Sequence, residues 1–140
     1  MKITASEKEL ILKRRKVHAN LSIEKILNAY LEAMLWAEMD DEGEPLDKNY
    51  KVKNIDAKAI QDSKKDITTF YNRAKEMIEE AGISEEDVGH KFWLNRNGHG
   101  TGFWDMEDVD KNTAKKLSDL SKSFGEITPY VGDDNKIYLG

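Results

Sequence analysis

The sequence predicts an α+β fold: a small antiparallel sheet made of two hairpins, packed against two long helices with shorter ones beside them. Three observations predict it. Two long stretches, around Ile23–Met39 and Ala57–Ala81, repeat apolar residues at three- and four-residue steps. The run from His90 to Asp105 replaces that periodicity with glycines, aromatics and an Asn-Gly pair, the composition of a hairpin. Ile127 to Leu139 carries a second turn signal at Asp133-Asp134-Asn135. A sheet of about four strands needs helices over one face, and the two long stripes supply that cover.

Ser6-Glu7-Lys8-Glu9 has the form of a capping box and opens a short helix to about Val17. Ser22 caps the next helix, whose stripe is Ile23, Ile26, Leu27, Tyr30, Leu31, Met34 and Leu35. An acidic loop follows from Glu38 to Asp47. An EF-hand counted from Asp40 would need glycine where Pro45 stands, so a calcium loop is not expected. Asp56 caps the long helix to Ala81 and Gly82 stops it. Ser84, with Asp87 three residues on, marks a short helical turn. A last helix from about Asp108 carries Val109, Thr113, Leu117, Leu120 and Phe124, and ends at Gly125. In the final hairpin Asn135 takes the left-handed position, which asparagine tolerates.

The 140 residues suit one domain, residues 21–140, preceded by a basic helical extension at 1–20. That extension holds six Lys/Arg against Glu7 and Glu9, a balance of +4. With a net charge of −5, the remaining residues carry −9. An acidic body argues against a bulk nucleic-acid binder. There are no cysteines, hence no disulfides, thiol nucleophiles or thiolate metal sites. No apolar run reaches the roughly 18–20 residues of a membrane span, and residues 1–20 lack a signal-peptide core. The expected location is the cytoplasm, with no cofactor and no metal site.

The segment from His90 to Asp105 holds two of the three histidines and two of the three tryptophans. With Asn97-Gly98 as a two-residue turn, His90 faces Asp105, Phe92 faces Phe103, Leu94 faces Thr101 and Arg96 faces His99. Trp93 and Trp104 share the other face, with Trp93 against Gly102. In that geometry His90 and His99 stand about 20 Å apart, too far for one metal or one acid–base pair. Gly98-His99-Gly100-Thr101-Gly102 lacks the strand-to-helix setting and Lys-Ser/Thr ending of a phosphate loop. The candidate catalytic residues are His90, Arg96, His99 and Asp105, types used for anion binding and proton transfer. The candidate binding residues are Arg96, Asn97 and His99 at an exposed tip, with Lys13, Arg14, Arg15 and Lys16 in the basic segment. Phe92 or Trp93, together with Trp104, is expected to be largely buried in the aromatic stem. Each feature also has a plain structural use: an ion pair for His90 and Asp105, a turn for His99, core for the aromatics.

At these residues the chain resembles a family of small, mostly uncharacterised proteins encoded by bacteriophages and prophages. Their pattern is His-x-Phe-Trp-Leu-x-Arg-Asn-Gly-His-Gly-x-Gly-Phe-Trp-Asp, met here from His90 to Asp105. Tyr130-Val131-Gly132-Asp133-Asp134, Ala29 to Trp36 and Gly43 to Asp47 resemble further blocks, so the likeness runs from about Ala29 to Tyr138. Asn135 departs from a usual glycine and Lys91 from a common acid. The resemblance implies a phage setting in a host cell and no particular reaction. The expected function is therefore an accessory binding or inhibitory protein acting on host or defence machinery, for example an anti-CRISPR or other counter-defence factor. Two alternatives rank behind it: a nucleic-acid-binding module using the basic helix and the hairpin tip, and a small hydrolase or nuclease using the His/Arg/Asp hairpin.

Overall fold

The computed structural model describes residues 21–140; the basic segment, with Lys13, Arg14, Arg15 and Lys16, lies outside the described residues. Helix α1 spans Ile23–Ala37 and starts where the Ser22 hydroxyl accepts the Lys25 amide. After the acidic loop come a short helix, α2, Leu46–Asn49, and a 3-10 turn, Val52–Asn54. Helix α3, Ala57–Ala81, begins at Asp56, whose carboxylate takes the amides of Lys58 and Ala59. It stops at Gly82, which sits in the left-handed region at φ 66°. Helix α4 spans Glu85–Arg96, with Ser84 accepting the Asp87 amide. A glycine loop and a 3-10 turn, Phe103–Asp105, lead to helix α5, Lys111–Ser123, capped by Asp110. Strands β1, Pro129–Val131, and β2, Ile137–Leu139, close the described chain as one antiparallel hairpin. Its turn carries Asn135 at φ 61°, the left-handed residue that the sequence predicts.

The molecule is thus mostly helical with one small two-stranded sheet, which satisfies α+β only in the coarse sense. Two expectations are overturned. The segment His90 to Arg96 is the second half of α4 and not a strand, so the central hairpin does not exist. The sheet has two strands of three residues each, not about four. The physical reason is burial. Val88, Gly89, Phe92, Trp93, Leu94, Asn95 and Arg96 are all buried, so α4 is enclosed on nearly every side and shows no one-sided stripe.

Helix α4 lies along α1. The Ser22 amide meets the Glu85 carboxylate, and Gly89 sits against the backbone of Ile26 and Tyr30. Phe92 then enters an aromatic core, stacking on Phe70 of α3 at 4.3 Å, while Tyr30 meets Trp93 edge-on at 5.2 Å. Phe103 also stacks on Phe70, at 5.8 Å. The small hairpin is tied to the start of α3, where the Asp56 amide donates to the Ile137 carbonyl. No helix of the described residues is long and apolar enough to cross a membrane.

Candidate functional site

Arg96 ends α4 inside the protein. Its side chain is only 5 % exposed, against an expectation of an exposed tip residue. Nη1 donates to Asp66 Oδ2 at 2.9 Å and to the Tyr30 hydroxyl at 3.0 Å. Nε and Nη2 donate to the carbonyls of Gly125 and Phe124, at the C-terminal end of α5, where a cation is favoured. The guanidinium also lies over the rings of Phe92 and Phe124. Burial pushes the Tyr30 hydroxyl up to about 12, against the lowering influence of Arg96, so it stays protonated. One side chain therefore joins α1, α3, α4 and α5.

Asn97 is a second tie. It is part-buried, its amide group donates to the Trp93 carbonyl, and its Oδ1 accepts the Ile127 amide at 2.9 Å. Asn95 is a third. Its Oδ1 takes the Phe103 amide at 2.6 Å and the Ser118 hydroxyl at 3.2 Å. A Cβ on Gly102 would land on that same Asn95 amide group, which accounts for glycine there. Asp105 folds its own turn closed, accepting the Thr101 hydroxyl at 2.7 Å and the Gly102 amide at 3.0 Å. The Thr101 bond, then the Gly102 amide, hold its carboxyl below the usual range although it is exposed.

His99 stands in the loop between these ties. Its Nε2 is 2.6 Å from Glu38 Oε2, and the same oxygen accepts the Trp93 indole at 3.0 Å. Glu38 is the residue just past the end of α1, so the pair pins the glycine loop to that helix end. His90 is elsewhere, its ring edge-on to Trp36 at 6.5 Å. The structure does not bring His90, Arg96, His99 and Asp105 into one cleft. His90 meets α1, Arg96 enters the core, and Asp105 caps a turn. The expected pairings His90–Asp105 and Arg96–His99 are replaced by Trp36, Asp66, Thr101 and Glu38.

Much of the polar chemistry from Trp93 to Asp105 is thus spent internally, on partners the sequence alone does not mark: Glu38, Asp66 and the carbonyls of Phe124 and Gly125. Several large apolar and aromatic side chains remain open to solvent. Trp104, expected in the buried stem, is 52 % exposed, and Trp36 and Met39 are 48 % and 63 % exposed. The sequence predicts burial for one of Phe92 and Trp93, and both are buried. Two concavities flank these residues. A cleft of ≈ 280 Å³ lies among Leu94, the glycine loop, Trp104 and Lys122. A groove of ≈ 300 Å³ runs beside Trp36, floored by Leu35, Tyr50 and Val52 and bordered by Glu32, Asp47 and Lys51.

Among the described residues, Asp40, Glu42 and Glu44 bring carboxylate oxygens within 4.8 Å of one another. Asp40 already accepts the amides of Glu42 and Glu44, which is the work of a loop residue. A comparison with family models, with curated proteins and with solved structures finds no match for this chain.

Proposed function

We propose that this chain is a binding protein, working in the phage setting that its central motif's resemblance implies, which docks on a host or defence protein through the groove beside Trp36. The observation that carries the reading is the half-exposed Trp36 at the edge of an apolar groove bordered by Glu32, Asp47 and Lys51. A large aromatic beside a pocket, ringed by polar groups, is the anatomy of an interface anchor. Met39, the most exposed large apolar residue among the described residues, follows on the same chain segment. Sequence charge adds to this: residues 21–140 carry −9, so the partner surface is basic around an apolar contact. Proteins that handle nucleic acid present such surfaces, and a counter-defence factor has reason to cover them.

The test is co-purification from host cells with tagged wild type and tagged Trp36→Ala. The reading expects a protein partner that is lost with Trp36→Ala while the variant melts as wild type does. Retention of the same partner by Trp36→Ala would remove the groove from the account.

A further inference from the structure

The cleft at the glycine loop is a separate feature, and its chemistry suits a small ligand. Phe103 is fully buried, yet its neighbour Trp104 stands half out of the protein with no ring against it among the described residues. Lys122, which lines the same cleft, is exposed and makes no ion pair among the described residues. Also in the lining, the amides of Gly100 and Thr101 find no acceptor among the described residues, although the Gly98, His99 and Gly102 amides all do. Gly100 lies at φ 73° with open space where a Cβ would be, so its backbone can be approached closely. An unpartnered π-face, a free ammonium and two free amides line one cleft.

From these features we propose that the cleft binds a nucleotide, with the base stacked on Trp104 and a phosphate held by Lys122 and the amides of Gly100 and Thr101. Stacking on an exposed tryptophan tolerates any base, because every base has a π-face. Free backbone amides and a lysine are donors only, so they select an anionic acceptor. Two acids near the loop are already engaged: Glu38 by Trp93 and His99, Asp105 by Thr101 and Gly102. Glu126 approaches Gly98, which places the phosphate on the Lys122 and Gly100 side of the loop. At ≈ 280 Å³ the cleft is just under the usual size of an enclosing ligand pocket, so it grips a nucleotide, free or at the end of a strand, by one side and leaves the rest in solvent.

The test is a titration of the full ¹⁵N-labelled chain with AMP, adenosine, inorganic phosphate and a 5′-phosphorylated single-stranded oligonucleotide. AMP is expected to shift the Trp104 indole and the Gly100 and Thr101 amides saturably. Adenosine should move the indole with weaker affinity, and phosphate the two amides alone. Trp104→Ala should weaken AMP binding about tenfold or more. Lys122→Ala should weaken AMP but not adenosine. Both substitutions are at exposed positions, and the dispersion of the amide spectrum verifies their folding. Tighter binding of the oligonucleotide than of AMP supports the proposal and assigns a strand end as the source; equal or weaker binding supports it and assigns the free nucleotide. No saturable shift with millimolar AMP in the folded wild type overturns the proposal, as does unchanged AMP affinity in Trp104→Ala.

Discussion

Removing the Arg96 guanidinium strands several groups at once: the Asp66 carboxylate, the Tyr30 hydroxyl and the carbonyls of Phe124 and Gly125. Breaking a buried charged pair by deleting one partner costs several kcal/mol. Asp66 is about a third exposed, which discounts its share. Arg96→Ala is therefore expected to lower unfolding stability by about 3 kcal/mol, measured by urea denaturation. A loss under about 1 kcal/mol, the size typical of an exposed residue, would contradict the buried clamp. Asp105 gives a pH prediction. Its carboxyl is held below the ordinary 3.8, first by the Thr101 hydroxyl and then by the Gly102 amide. A depressed folded value means that its contribution is fully present above 3.8 and lost as pH falls through the lower folded value. The Gly102 amide resonance should hold still from neutral pH down to about 4 and move only below it. Thr101→Val should raise that midpoint; an unchanged midpoint would show that the hydroxyl is not the main cause.

At the scale of elements, the contact of α1 with α4 rests on one missing methyl group. A Cβ on Gly89 would fall onto the Ile26 carbonyl oxygen, and 2.7 Å from the Tyr30 amide nitrogen. Both are backbone atoms of a helix and cannot step aside as a side chain would. Gly89→Ala should cost about 1–3 kcal/mol despite its better helix propensity, and thermal melts check it; a neutral or stabilising result would place the helices farther apart. The same element shows what a sequence displays and what it hides. Caps and stops at Ser22, Asp56, Gly82, Ser84 and Asn135 are legible because their partners lie within a few residues. The length of α4 is not, because a helix buried all round has no stripe, and Asn97-Gly98 punctuates a helix end as readily as a hairpin. His99 is legible as a candidate, but its partner Glu38 is 61 residues away, and Arg96 reaches across 66 residues to Tyr30. Local chemistry announces itself in sequence; a tie between distant elements does not. Arg96, Asn97 and Asp105 therefore look like free polar groups until the fold gives each a structural partner.

At the scale of the whole molecule, two roles differ from the expected arrangement: Arg96 is buried and Trp104 is exposed. The motif's charged and amide side chains hold helices together, while Trp36, Met39 and Trp104 remain at the surface. Exposed large apolar groups beside grooves mark contact sites more often than scattered ones do. The proposed docking face belongs to the start of this chain's folded body, on α1 and the turn at Val52–Asn54, and not to the motif. Site-specific photocrosslinking in host cells tests that claim most directly, with a photoreactive phenylalanine analogue in place of Trp36 and, as a control, in place of Lys58 on the exposed side of α3. The account predicts a discrete crosslinked protein partner from position 36 and none from position 58; crosslinks of equal yield from both positions, or none from position 36, would contradict it.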